Sequence, residues 1–219
     1  MKKFDAVIFD LDGTLLYTLD DVTDSMNYML GKHKFPLRSR DEIRSFVGEG
    51  AGQLMERAIP GGKRNPEYDK CLADYFLHYF SNMLNKTYPF EGIPETVKKL
   101  HEGGYKMAVV SNKIDNATKE LTQKFFGDYI KVAIGQTRDT ALKPAPDTVF
   151  QALCELEADP GKAVYVGDME IDIETARNSG TVCVAVTWGY RDRKFLEENG
   201  AEYIIDRPQE LLDIVGFNK

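Results

Sequence analysis

The sequence has little cysteine or histidine, and neither residue forms a metal-binding or redox motif. Its three cysteines lie far apart and include no CxxC pair: Cys71, Cys154 and Cys183. Its three histidines fall in segments with helical spacing and show no metal-ligand pattern: His33, His78 and His101. We therefore expect reduced, mostly buried thiols in a cytoplasmic protein, with no zinc site and no cysteine nucleophile.

Long apolar runs and an excess of positive charge are also missing. No run approaches the roughly 20 residues that a membrane-spanning helix needs, and the first residues lack the pattern of a signal peptide. The formal net charge is -7, which argues against binding to nucleic acid or to an anionic membrane. We expect no partner of either kind, and a monomer or homodimer.

The apolar residues change their periodicity along the chain, which predicts a core with an insertion. Residues 19–84 show helical spacing throughout and no convincing strand. Elsewhere, short apolar runs alternate with helical segments and predict strands at 6–9, 107–110, 131–134, 163–166, 182–186 and 203–205. This alternation predicts an α/β fold, a Rossmann-like and mostly parallel sheet. The predicted domains are a core, 1–16 with 88–219, and an inserted all-α domain, 17–87.

Two local predictions concern the helices. Gly48, Gly50 and Gly52 resemble a phosphate loop, but no strand precedes them and no Lys-Ser or Lys-Thr follows. We predict a flexible bend there, whose backbone N–H groups could contact a substrate. A helix opens after Pro146, with four apolar residues predicted on one face: Val149, Phe150, Leu153 and Leu156.

The residues suited to catalysis follow the predicted strands. Asp10 and Asp12 follow the first strand, Ser111 and Asp168 follow two later ones, and Lys143 follows another strand after a longer loop. The carboxyl ends of parallel strands lie at one edge of the sheet, where ligands bind in open α/β folds. These residues are therefore predicted to converge.

Four carboxylates are expected in the resulting pocket: Asp10, Asp12, Asp168 and Asp172. Two like charges 4 Å apart repel by about 4 kcal/mol at the effective dielectric of a protein surface, so a cation is needed, and oxygen ligands favour Mg²⁺. Together with Lys143 and Ser111, such a site suits a phosphoryl group. Singly, each residue has a simpler explanation: a surface lysine before Pro144, a serine N-cap, an aspartate helix cap.

Taken together, these motifs resemble the haloacid dehalogenase superfamily, and within it the phosphoglycolate phosphatase-like branch with a helical, C1-type cap. The resemblance covers essentially the whole chain. It is carried by residues 9–15, Ser111-Asn112, Lys143-Pro144, and Gly167-Asp168 with Asp172. It implies a Mg²⁺-dependent phosphatase, and it identifies the inserted helices as the cap.

The resemblance also implies a role for each motif residue. Asp10 would be the nucleophile that becomes a phosphoaspartate, and Asp12 would protonate the leaving alkoxide and then activate water. Ser111 would bind the phosphoryl group, and Lys143 would neutralise charge on it and on Asp10. Mg²⁺ would be held by the following groups, with Asp172 nearby in support: the Asp10 carboxylate, the Asp12 backbone carbonyl and Asp168.

The expected substrate is a small anionic phosphoester, and the resemblance makes 2-phosphoglycolate the leading candidate. Its carboxylate needs a cation or N–H donors, and the candidates are Arg44, the Gly50 backbone and Lys113. Thr14 and Asn112 complete the predicted substrate-binding set. Arg44 could equally lie on a solvated helix face, and Lys113 could simply begin a helix.

Other functions use parts of the same motif set. Phosphatases for pyrophosphate, nucleotides or sugar phosphates, and a β-phosphoglucomutase-like phosphomutase, keep every catalytic residue named above. A receiver-type signalling domain also has an acidic pair and a later lysine, but it needs no cap and is shorter than this chain. A dehalogenase would use Asp10 but has no use for Asp12, Asp168 or a metal.

Overall fold

The computed structural model describes residues 2–217 and divides into two compact units. The core unit comprises Met1–Leu16 and Pro89–Lys219, and the helical unit comprises Tyr17–Tyr88. Tyr88, which the sequence assigned to the core, therefore belongs to the helical unit. None of the helices within residues 2–217 has the length and apolar character needed to cross a membrane.

The core unit is built on a six-stranded sheet. The strands, numbered along the chain, are β1 Ala6–Phe9, β2 Leu16–Tyr17, β3 Tyr88–Pro89, β4 Lys106–Ile114, β5 Val132–Gln136, β6 Ala163–Gly167, β7 Val182–Val186 and β8 Tyr203–Ile205. The order in the large sheet is β5-β4-β1-β6-β7-β8, and each neighbouring pair runs parallel. Strands β2 and β3 form a separate two-stranded sheet. The prediction of a Rossmann-like parallel sheet is confirmed.

Helices alternate with the strands of the core unit and account for much of the helical unit. They are α1 Leu19–Lys32, α2 Arg40–Phe46, α3 Gly50–Ala58, α4 Tyr68–Asn82, α5 Ile93–Glu102, α6 Asp115–Phe126, α7 Asp147–Glu155, α8 Glu170–Ser179, α9 Arg193–Glu198 and α10 Glu210–Ile214. The central strand β1 is buried along its whole length. Its apolar residues are therefore continuous, as expected for a sheet covered on both faces.

One predicted helix face needs correction. Val149 and Leu153 of α7 are buried in the core, but Phe150 is 46% exposed. Adjacent residues on a helix point about 100° apart, so Phe150 turns away from the face that carries Val149. The prediction that Phe150 shares the face of Val149 and Leu153 is wrong.

The helical unit contains four α-helices among its described residues. Met26, Met29 and Leu30 of α1 are buried, as are Tyr75 and Tyr79 of α4, and the two helices pack together. The bend predicted for the glycine-rich segment is shorter than expected and lies at Gly48 and Glu49, between α2 and α3. The second and third glycines of the segment lie in the first turn of α3.

Candidate active site

The register of the sheet brings the predicted catalytic positions to one edge. Phe9 of β1 lies opposite Val109 of β4 and Val166 of β6. Asp10 and Asp168 therefore follow β1 and β6 at nearly the same level. Ser111, predicted to follow its strand, lies inside β4 close to that level, because β4 continues to Ile114. Asp10, Ser111 and Asp168 are all buried. The sheet alone thus places a carboxylate, a hydroxyl and a second carboxylate side by side.

Lys143 is fully engaged by buried groups. Its Nζ donates to Asp10 Oδ1 at 2.8 Å, to Asp172 Oδ1 at 2.7 Å and to the Tyr165 hydroxyl at 3.0 Å. A lysine ammonium has three N–H groups, so these contacts account for each of its donors. The Lys143 backbone is held by the Asn112 side chain, which accepts from Lys143 N at 2.8 Å and donates to its carbonyl at 3.2 Å.

Asp168 is held from two sides and has no exposed surface. Its Oδ1 accepts from the Thr14 hydroxyl at 2.9 Å, and its Oδ2 accepts from the Tyr190 N–H at 2.7 Å. Asp172 Oδ2 in turn accepts from the backbone N–H groups of Asp168 and Met169, each at 3.1 Å. The carboxylate of Asp172, in α8, therefore fixes the backbone of the loop that carries Asp168.

Burial and mutual repulsion shift the pKa values of the buried carboxyl groups. Burial raises the pKa of Asp10 to about 7, with Lys143 opposing and Asp172 adding to the shift. The pKa of Asp168 is also raised well above 3.8, first by burial and then by Asp172 and Asp10. Burial alone would lower the pKa of Lys143, but Asp10 and Asp172 outweigh it and raise that pKa well above 10.5.

The carboxylates fit a divalent cation. Asp10, Asp168 and Asp172 each offer an oxygen within 4.8 Å of the others. One ammonium, that of Lys143, faces two of these three carboxylates, so their charge is only partly offset. A further cation would favour the ionised carboxylates, and three hard oxygen donors suit Mg²⁺ or a similar ion.

Five residues were predicted to bind the substrate. In the structure, three of them form contacts with other protein groups of the core site. The Thr14 hydroxyl orients Asp168, the Asn112 amide holds the backbone of Lys143, and the Lys113 ammonium contacts Asp12. The other two lie in the helical unit: Arg44 is exposed on α2, and Gly50 is the first residue of α3. Their part in substrate binding stays a prediction.

Three further residues, outside the predicted catalytic, substrate-binding and metal-binding sets, support the site. Tyr165 lies inside an apolar strand, where its ring indicates only packing, yet its buried hydroxyl contacts Lys143. Trp188 Nε1 donates to the Thr14 carbonyl at 3.0 Å. A Cβ on Gly189 would lie 2.3 Å from the Cβ of Asp168. Trp188 and Gly189 lie two and three residues after the end of β7, and this position after a strand is the sequence signal that places them at the same edge of the sheet.

Comparison with known proteins agrees with this geometry. A family model described as haloacid dehalogenase-like hydrolase matches residues 7–186. Phosphoglycolate phosphatase of Mesorhizobium japonicum is 31% identical over 87% of this chain and 86% of its own length. N-acetylmuramic acid 6-phosphate phosphatase of Pseudomonas aeruginosa is 29% identical over 97% of this chain and 95% of its own length.

A solved structure gives the same result. The protein from Lactobacillus delbrueckii subsp. bulgaricus, assigned as a phosphoglycolate phosphatase, superposes with a TM-score of 0.92 at 34% identity and covers 99% of this chain and 100% of that one. The chain belongs to the haloacid dehalogenase-like hydrolase family. The resemblance inferred from the motifs is confirmed, and the protein is a phosphatase.

Proposed function

We propose that this phosphatase hydrolyses a small phosphomonoester through a phosphoaspartate on Asp10, and that its preferred substrate is 2-phosphoglycolate. The observation that carries the proposal is the contact between Asp10 and Lys143, at 2.8 Å, inside a group of buried carboxylates. A buried carboxylate next to a fixed ammonium and a site for a divalent cation suits attack on an electron-rich phosphoryl group.

In this mechanism the Asp10 carboxylate attacks phosphorus, and the bond from phosphorus to the leaving oxygen breaks as Asp12 donates a proton to that oxygen. Asp12 then accepts a proton from water, the water oxygen attacks phosphorus, and cleavage of the Asp10–phosphorus bond releases inorganic phosphate. Bound Mg²⁺ would supply positive charge for the phosphoryl oxygens. Asp10, Asp168 and the Asp12 backbone carbonyl would hold it, supported by Asp172.

We also propose that the helical unit serves as the cap domain and contributes to substrate selection. Its candidates are Arg44, an exposed residue of α2, and the backbone of Gly50 at the start of α3, since a guanidinium and backbone N–H groups are both donors suited to an anion. Cap residues would then distinguish this enzyme from relatives that share its core chemistry, since function within a fold is set by such local groups.

The substrate assignment predicts a preference for an ester that carries a carboxylate. The kcat/KM for 2-phosphoglycolate should exceed that for glycerol phosphate about ten- to a hundredfold, the range of one charge-assisted hydrogen bond. The measurement is phosphate release from a panel of small phosphoesters. Equal kcat/KM values for the two esters, or a clear preference for pyrophosphate or a nucleotide, would rule out 2-phosphoglycolate as the preferred substrate. The assignment of the protein as a phosphatase would still stand.

One comparison favours a second candidate. The Pseudomonas aeruginosa relative is named for a sugar acid 6-phosphate and covers almost the whole of this chain. A sugar phosphate belongs in the same panel for that reason. A phosphomutase outcome would be recognised there as transfer of phosphate to a second hydroxyl of the sugar without release of inorganic phosphate.

The metal assignment predicts that Mg²⁺ stabilises the enzyme more at alkaline pH. The pKa of Asp10 is about 7 in the fold against an ordinary 3.8, so its contribution to stability is present below about pH 4 and lost as pH rises through 7. Mg²⁺ competes with that proton. Its effect on Tm should therefore be larger at about pH 8 than at about pH 5.

Thermal unfolding with Mg²⁺ and with excess chelator measures this difference. In Asp10→Asn the added Mg²⁺ should raise Tm little at either pH, because the variant lacks the carboxylate for which proton and metal compete. An equal Mg²⁺ effect at both pH values in the wild-type enzyme would contradict the role of Asp10 as a ligand.

The acid role of Asp12 predicts a dependence on the leaving group. Asp12→Asn should slow phosphorylation of the enzyme by 2-phosphoglycolate about a hundredfold or more, the scale of general acid catalysis. Phosphorylation by p-nitrophenyl phosphate should change little, since nitrophenolate leaves without a proton. Single-turnover kinetics measure both. Equal losses on the two esters would remove the acid role.

A further inference from the structure

Lys113 holds the carboxylate of Asp12 by both of its oxygens. The Lys113 Nζ lies 2.8 Å from Asp12 Oδ1 and 3.0 Å from Oδ2. The lysine side chain is 8% exposed and that of Asp12 is 23% exposed. Exposed ion pairs contribute little, but a largely buried ammonium that contacts both oxygens restricts the rotation of the carboxylate.

We infer that Lys113 is a positioning residue for Asp12, and that it does not bind the substrate carboxylate. The inference rests on the proposed acid–base role of Asp12. A proton donor must lie within hydrogen-bond reach of the leaving oxygen, and the same group must then reach the attacking water. A side chain with fixed orientation meets both demands without a search among rotamers, the first as the protonated carboxyl and the second as the carboxylate.

The position of Lys113 is itself fixed by its neighbours. It lies near the end of β4, within the segment between Val110 and Ile114 where the register shifts. Its backbone N–H donates to the Ser111 hydroxyl at 3.3 Å, and its carbonyl accepts from the Thr118 hydroxyl at 3.2 Å. The strand and helix α6 therefore both anchor the residue that carries the ammonium.

The second lysine of the site is not placed to do this work. The three N–H groups of Lys143 are donated to Asp10, Asp172 and Tyr165. Asp12 is the carboxylate of the Asp10-Asp12 pair that Lys113 contacts. The Lys143 ammonium thus contacts the proposed nucleophile, Asp10, and the Lys113 ammonium contacts the proposed acid–base residue, Asp12.

The test uses p-nitrophenyl phosphate, which carries no carboxylate and needs no acid for its leaving group. In Lys113→Met we expect enzyme phosphorylation, seen as a burst of nitrophenolate, at the wild-type rate. The steady phase that follows depends on Asp12 as a base and should be about ten- to a hundredfold slower than in the wild-type enzyme, the range of a charge-assisted contact. Lys113→Arg keeps the cation and should restore most of the steady rate.

A double-mutant cycle separates action through Asp12 from action on the substrate. In the Asp12→Asn background, Lys113→Met should slow the steady phase by less than about twofold, because the group it positions is gone. Independent losses, or a slower burst, would place Lys113 on the substrate and overturn the inference. So would unchanged p-nitrophenyl phosphate kinetics combined with a raised KM for 2-phosphoglycolate.

Two controls complete the design. Lys119→Met breaks the 2.7 Å ion pair with Asp115 on nearby α6, and it should leave both phases unchanged. The amplitude of the burst counts active sites, so misfolding of Lys113→Met would lower the amplitude, whereas loss of positioning lowers the rate. Failure of the proposed acid role and failure of this inference give different results. If Asp12→Asn alone slows phosphorylation by both esters equally, the acid role of Asp12 is wrong. If the losses in the double-mutant cycle are additive, the positioning role of Lys113 is wrong.

Discussion

Asp10→Asn is expected to abolish phosphate release while leaving the fold intact. A neutral amide is not a nucleophile toward phosphorus, and it is a poor ligand for Mg²⁺. The loss should be roughly a thousandfold or more, as for removal of other covalent nucleophiles. Phosphate release from 2-phosphoglycolate and from p-nitrophenyl phosphate measures it, and mass spectrometry of the quenched enzyme should detect no phosphorylated protein.

The fold should tolerate this substitution because asparagine is close in size to aspartate and burial disfavours the charged form of a side chain. Burial raises the pKa of Asp10 to about 7, so the metal-free fold partly prefers the uncharged carboxyl. Lys143 would keep its contacts with Asp172 and Tyr165. Asp128→Asn makes the same change at an exposed position and should have no effect. Turnover near the wild-type level in Asp10→Asn would rule out the covalent mechanism.

The parallel sheet, and the edge of it at which the site lies, could be predicted because both depend on local features of the sequence. Strand β1 is buried on both faces, so it is a continuous apolar run, and the two aspartates directly follow it. Topology then brings Ser111 and Asp168 beside Asp10 without any further information about side chains. The sequence correctly placed Asp10 and Asp168 after strands, whereas Ser111, predicted to follow a strand, lies inside β4.

The contacts among those residues could not be predicted in the same way. Thr14, Asn112 and Lys113 were candidates for substrate binding, yet each contacts a protein group of the site. A motif specifies which residue types lie near one another, but the partner of each hydroxyl, amide or ammonium depends on distances of a few ångströms. The same limit applies to Tyr165, whose hydroxyl lies within reach of Lys143 only once β6 and the loop carrying Lys143 are in place.

Gly189 makes a final contribution to the site that is purely steric, and Gly189→Ala is expected to damage the metal site severely. An added Cβ would lie 2.3 Å from Asp168 Cβ and 2.4 Å from Asp168 Oδ2, closer than real Cβ contacts. The φ of Gly189 lies outside the left-handed region. The substitution therefore tests the close approach to Asp168 and not backbone freedom.

Asp168 has little room to move away from such a methyl group. Thr14 and the Tyr190 N–H hold its two oxygens, and the side chain is completely buried. We expect the affinity for Mg²⁺ to fall about ten- to a hundredfold, the usual effect of disturbing the groups around a metal ligand. The free energy of unfolding should fall by about 1–3 kcal/mol, as for other overpacked sites.

The Mg²⁺ concentration that gives half-maximal activity reports the first effect, and denaturant unfolding in chelator reports the second. Gly31→Ala in α1 is the matched control, because its Cβ would meet only the Leu37 side chain at 3.9 Å. That change should leave Mg²⁺ affinity unaltered and stability unchanged or slightly higher, since alanine is the better helix former. If Gly189→Ala retained wild-type Mg²⁺ affinity and stability, Asp168 would have to shift at no cost, and it would then not be the rigidly held carboxylate that its two hydrogen bonds indicate.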